Sequence, residues 1–89
     1  MEFMVNHIEL AGNPELIKEA LMFLREKYGK NEVAVARPSI TVCNAFIVRS
    51  YPLKGLDAKL SDKFPNLSVR VWAVREYYWQ STEVVLNDY

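Results

Sequence analysis

Apolar and polar side chains alternate through the opening stretch EFMVNHIELAG. Met4, Ile8 and Leu10 fall on one side with Asn6 among them, and Phe3, Val5, His7 and Glu9 fall on the other. A period of two predicts a strand, and Gly12 ends it. The period then lengthens. In NPELIKEALMFLREKYG, Ile17, Leu21, Leu24 and Tyr28 recur at helical spacing, and Leu16, Ala20 and Phe23 widen the stripe. Asn13 suits the N-cap, Pro14 the first helical position, Glu15 the positive end of the dipole and Gly29 the C-cap.

EVAVA predicts a short strand closed by Arg37 and Pro38, because proline donates nothing to a ladder and restricts its predecessor. SITVCNAFIVRS is dense in β-branched residues and predicts a central strand, hairpin-linked to the one before it. PLKGLDAKLSDKF carries Leu56, Leu60 and Phe64 at helical intervals, a shorter helix stopped by Pro65. NLSVRVWAVREYYW predicts the longest strand, and TEVVLND a last strand beyond a turn at Gln80 and Ser81. No repeat, linker or low-complexity segment interrupts the chain, so residues 1–89 form a single domain.

The order is therefore β-α-β-β-α-β-β. Right-handed crossovers put both helices on one side of the sheet. The expected fold class is α+β: a ferredoxin-like two-layer sandwich, βαββαβ plus an extra C-terminal β-strand, with antiparallel strand order 2-3-1-4-5.

Two helices cover one side of such a sheet and leave the other bare. On the longest strand, Leu67, Val69, Val71 and Ala73 are expected to face the helices. Ser68, Arg70, Trp72, Val74, Glu76 and Tyr78 then point away. On the central strand, Val42, Phe46 and Val48 are taken as inward and Cys43, Ala45, Ile47 and Arg49 as outward. The first strand adds Val5, His7 and Glu9 to the outward set. Rings and arginines with few lysines make an interface composition. The expected partner-binding residues are Arg49, Arg70, Trp72, Val74, Glu76, Tyr78 and Trp79. Tyr77, Tyr78 and Trp79 have a second reading, as local packing across the hairpin onto Val84 or Leu86.

Composition narrows the function classes. The chain has 89 residues, 51% of them hydrophobic, with eleven basic side chains against eleven acidic. A zero balance gives no general field to draw in nucleic acid or anionic lipid. No leader pattern opens the chain and no apolar run is long enough to span a bilayer, so a cytoplasmic protein with no membrane association is expected. One cysteine, Cys43, in an apolar run reads as a buried, reduced thiol.

The single histidine and the lack of a Cys pair argue against a zinc site, and no glycine-rich phosphate loop occurs. His7 and Cys43 are weighed as cross-strand neighbours, with nothing to activate the thiol. Asp57 and Asp62 read as a solvated helix face. Acylphosphatases share the topology, but their phosphate cradle is missing, as is the CxxC of metal chaperones with this fold. No catalytic residue, metal or cofactor is expected, and the chain is read as a non-enzyme. RNA-recognition motifs also use this topology and stack bases on sheet aromatics. VCNAFIVR agrees with their central-strand pattern at Ala45, Phe46 and Ile47 only. Single-stranded nucleic-acid binding through Arg49, Arg70 and Trp72 is therefore a second choice.

Lys63, Phe64, Pro65, Leu67 and Ser68, in the stretch LSDKFPNLSVRVWAVREYYWQSTEVVLND, resemble a helix-stop-strand segment, K-[FY]-P-x-L-[ST]. That segment belongs to the ferredoxin-like domain of YubB-type proteins encoded on plasmids and phages. Asn6, Ile8, Leu10, Gly12 and the helix after Pro14 are similar to that family's opening. The similar stretches cover somewhat more than half the chain; a tryptophan-rich N-W-G-type segment of larger members has no counterpart. The resemblance implies a mobile-element accessory protein. The expected function is a non-catalytic binder of a host protein, plausible as a stoichiometric inhibitor of a defence protein such as a CRISPR effector. The alternatives are a homodimer through the open sheet face and the nucleic-acid module.

Overall fold

A computed structural model describes residues 2–77. Strand β1 spans Glu2–Ala11, helix α1 Pro14–Tyr28, β2 Ala34–Ser39, β3 Val42–Arg49, α2 Leu56–Lys63 and β4 Ser68–Tyr77. The strands form an antiparallel sheet in the order β2-β3-β1-β4. This is the expected α+β arrangement over four strands. The expected fifth strand, 82–88, lies outside the described residues.

Local chemistry sets the element ends. The Asn13 side-chain oxygen accepts from the Glu15 backbone N–H at 2.8 Å, so α1 starts on a capped donor. The Gly29 N–H returns to the Arg25 carbonyl at 2.9 Å and closes it. α2 starts on Leu56 and is capped at Phe64, the span of its helically spaced apolar residues. Gly55 takes a left-handed φ of 81° immediately before it, which breaks any helical run from Pro52. β2 runs further than EVAVA, through Pro38. It is an edge strand, and its register shifts between Ala36 and Ser39, where a missing donor costs little.

Both helices pack on one sheet face. Ile8 and Leu10 of β1 and Cys43, Ala45 and Ile47 of β3 are fully enclosed beneath Ile17, Ala20, Leu24 and Leu60, with Val69 and Val71 of β4 packed alongside. The β4 assignment follows the expected alternation. The β3 assignment is reversed: Cys43, Ala45 and Ile47 face the helices, and Val42, Asn44, Phe46 and Val48 take the uncovered side. Registers fix this, because Ile8 pairs with Ala45, Leu10 with Cys43 and Asn6 with Ile47, and side chains directly opposite share a face. Six of the seven residues from Val42 to Val48 are aliphatic, aromatic or cysteine, and they occupy both parities, so the sequence offers no contrast between faces.

Among the described residues Asn6 is the one buried polar side chain, at 1% exposure. Its Nδ2 donates to the carbonyls of Ile47 and Tyr51, each at 3.2 Å, and its Oδ1 accepts from the Leu53 N–H at 2.9 Å. The connection from β3 to α2 is thereby tied to the middle of the sheet.

Gly12 turns the chain from β1 into α1 at φ 143°, with its N–H donating to the Thr41 carbonyl at 2.9 Å. A Cβ there would stand 2.9 Å from Leu67 Cδ2 and 3.4 Å from the Asn66 carbonyl oxygen. Gly12→Ala combines a strained backbone with a contact that must shift. It is expected to lower stability by about 1–3 kcal/mol in urea unfolding, whereas an unstrained glycine-to-alanine change would raise it.

Candidate interaction surface on the uncovered sheet

The sheet face away from the helices is organised in cross-strand rows. Phe46, His7 and Trp72 stand opposite one another on β3, β1 and β4. One row on, Val48, Val5 and Val74 do the same. On the other side come Asn44, Glu9 and Arg70. The three rings form a connected line. His7 and Trp72 are stacked, with centroids 5.2 Å apart and planes 11° apart. Phe46 meets His7 edge-on at 5.0 Å and 80°.

The Arg70 guanidinium lies 5.2 Å from the Trp72 ring centroid, and its Nη1 is 3.3 Å from Glu9 Oε1. Arg70 is well exposed and Glu9 half-buried, so the pair is a surface ion pair of modest strength. Its effect is to hold the guanidinium beside the indole and cancel charge. With Glu9 and Arg70 balanced, the central rows form a neutral, ring-rich patch.

The expected contact residues divide accordingly. Trp72 and Arg70 stand on the patch. Val74 is on the same face, yet it is only 4% exposed and therefore has little surface to offer a partner. Its register places it beside Val5, with Phe3 and His7 on the diagonals. Glu76 pairs with Phe3 in the β1–β4 register. Tyr78 and Trp79 lie outside the described residues.

Arg49 is a correction, and with it Ile47. Both belong to the helix side of β3. The Arg49 guanidinium sits 5.6 Å from the Tyr28 ring centroid and 3.4 Å from Glu32 Oε1, and its Nη1 donates to the Val48 carbonyl at 2.7 Å. It braces the end of α1 and is not beside Trp72. Sequence reasoning assigned Phe46 inward; instead it completes the ring row. Its pairing with His7 was the missing signal, and that pairing depends on a register the sequence leaves ambiguous.

Cys43 and His7 do not assemble. Cys43 is enclosed under the helices while His7 is on the opposite face, and burial raises the thiol above its ordinary pKa despite the nearby charges of Arg37 and Arg25. Cys43 should therefore resist a soluble disulfide reagent in the folded protein and react only as the chain opens. Labelling that stays fast with no denaturant, at the rate of a free thiol, would contradict its placement. Among the described residues no group of three or more His, Cys, Asp or Glu side chains comes together. No described helix is long and apolar enough to cross a membrane.

Comparison of the chain with protein-family models, with curated proteins and with solved structures gives no match.

Proposed function

We propose that the protein is a non-catalytic binding module that docks a partner protein on the uncovered sheet face, with Trp72 as the anchor. The observation carrying this is the continuous Phe46–His7–Trp72 row, neutral in charge and flanked by valines, on the side that neither helix covers. Interface cores are poor in charge and rich in aromatics with arginine at the margin, and Arg70 beside Trp72 supplies that margin. Base stacking is disfavoured by the same geometry. The Trp72 ring is already engaged by His7 and Arg70, and Glu9 neutralises the arginine that a phosphate backbone would need.

The resemblance to YubB-type accessory proteins supports a host protein as the partner and occupation without turnover as the mode. An inhibitor of a host defence protein such as a CRISPR effector, acting in the host cytoplasm, fits that reading. A homodimer is favoured by one observation: Glu9 and Arg70 place one charge of each sign on the face, so a two-fold copy could exchange the pair. Light scattering across a hundredfold concentration range separates the two, since a constant monomer mass removes the dimer. Capture from host extract with wild-type and Trp72→Asp protein, followed by titration of the recovered protein, tests the main reading. It requires saturation at one partner per chain and loss with the variant. Equal capture by both would overturn it.

A further inference from the structure

We infer that the groove between the C-terminal end of α1 and the N-terminal end of α2 is a binding site for a phosphoryl dianion, either free phosphate or a phosphomonoester. This groove, of about 350 Å³, belongs to the helix side of the molecule. Lys27, Lys54 and Lys59 line it together with Tyr28 and Tyr51, and no carboxylate is among its lining residues. Asp57, in the first turn of α2, and Glu32 are both outside the lining. Asp57 accepts from the Ala58 N–H at 2.8 Å, and Glu32 pairs with Arg49.

Lys27 and Lys59 come from different helices and meet at the groove. Hydrogen bonding to Lys59 and then its charge lower the proton affinity of Lys27. Lys27 Nζ also lies 5.7 Å from the Tyr28 ring, with Arg49 5.6 Å from the same ring. Like charges brought together at a surface repel, and a bound anion removes the repulsion. Three ammonium groups and two phenol hydroxyls supply more donors than a carboxylate has acceptor sites, whereas a phosphoryl group has three terminal oxygens to meet them.

The walls are held in place. Asn6 fixes the carbonyl of Tyr51 and the N–H of Leu53, so the loop carrying one phenol is tied to the sheet. Gly55, at φ 81°, opens the first turn of α2, and a Cβ there would meet nothing within 4 Å, so the backbone is approachable from the groove side.

The test is an amide NMR titration at pH 7.5 and constant ionic strength, with inorganic phosphate in one arm and phenyl phosphate in the other. Saturable shifts are expected at Gly55, Lys59 and Lys27, with a millimolar dissociation constant that weakens at least tenfold in Lys59→Gln and in Lys27→Gln. Both lysines are exposed, so an unchanged amide pattern elsewhere verifies the fold. Equal affinity in the two arms assigns the site to the free ion, and tighter phenyl phosphate assigns it to an ester with a ring against the tyrosines. Shifts that sodium chloride reproduces, or that persist undiminished in both variants, would overturn the site.

Discussion

Asn6→Ala is expected to lower the unfolding free energy by about 2–4 kcal/mol. The side chain is 1% exposed and makes three hydrogen bonds: two donated, to Ile47 and Tyr51, and one accepted, from Leu53. A net hydrogen bond contributes roughly 1 kcal/mol, but alanine also leaves partners without the group that satisfied them, and that desolvation cost dominates. A domain of this length holds only about 4–13 kcal/mol in total, so the change would move the urea midpoint visibly. Asn6→Asp sharpens the test, since it keeps the shape. It preserves the acceptor for Leu53 but turns a carboxylate toward two carbonyl oxygens, and should destabilise at neutral pH by at least as much as alanine. If both variants unfold within about 0.5 kcal/mol of wild type, as ordinary surface substitutions do, the tie between sheet and loop is energetically idle.

The same residue shows what a sequence can and cannot carry. Asn6 was visible as a polar interruption in an apolar stripe. Its purpose was not, because its partners are Ile47, Tyr51 and Leu53, all remote in the chain. Helix α1 was legible because its signals are local: Asn13, Pro14 and Glu15 at one end and Gly29 at the other. Strand β4 was legible as well, since Val69 and Val71 alternate with Ser68 and Arg70 and only one parity can face a core. Strand β3 was ambiguous, because Cys43, Ala45 and Ile47 are no more apolar than Val42, Phe46 and Val48. Burial in a sheet whose bare face is itself ring-rich erases the contrast on which period-two reading depends.

That ambiguity reached the candidate site directly. Misassigning β3 put Arg49 next to Trp72 and hid Phe46, while Arg70 and Trp72 survived because β4 carries its own contrast. The lysine groove lay beyond sequence reading altogether. Lys27 and Lys59 each look like solvated helix residues, and only the placement of α1 and α2 on the same sheet face brings them to one opening. Helical faces thus hold two kinds of information, the apolar stripe that selects the fold and a charged remainder whose neighbours are set afterwards.

Trp72→Ala is expected to weaken partner binding by about 30- to 1,000-fold, or roughly 2–4 kcal/mol, the range of a central aromatic anchor. Trp72 is half-buried, stacked on His7 and bordered by Arg70, so its ring is presented in a fixed orientation and loses little freedom on docking. The variant also loses the stacking contact, worth about 0.5–1.5 kcal/mol of stability, so binding must be measured below its unfolding transition. Three companion changes separate an anchor from a structural ring. Trp72→Phe keeps a ring on His7 and should recover much of the affinity. Phe46→Ala, two strands away on the same row, should cost more than about 1 kcal/mol. Arg70→Ala removes an exposed margin charge and should cost less than about 1 kcal/mol, chiefly in association rate. Arg49→Ala should leave affinity alone, because its contacts are to Tyr28 and Glu32 on the helix side. The reverse outcome, full binding by Trp72→Ala and Phe46→Ala with loss in Arg49→Ala, would move the docking surface to the helical layer and leave the bare sheet without a role.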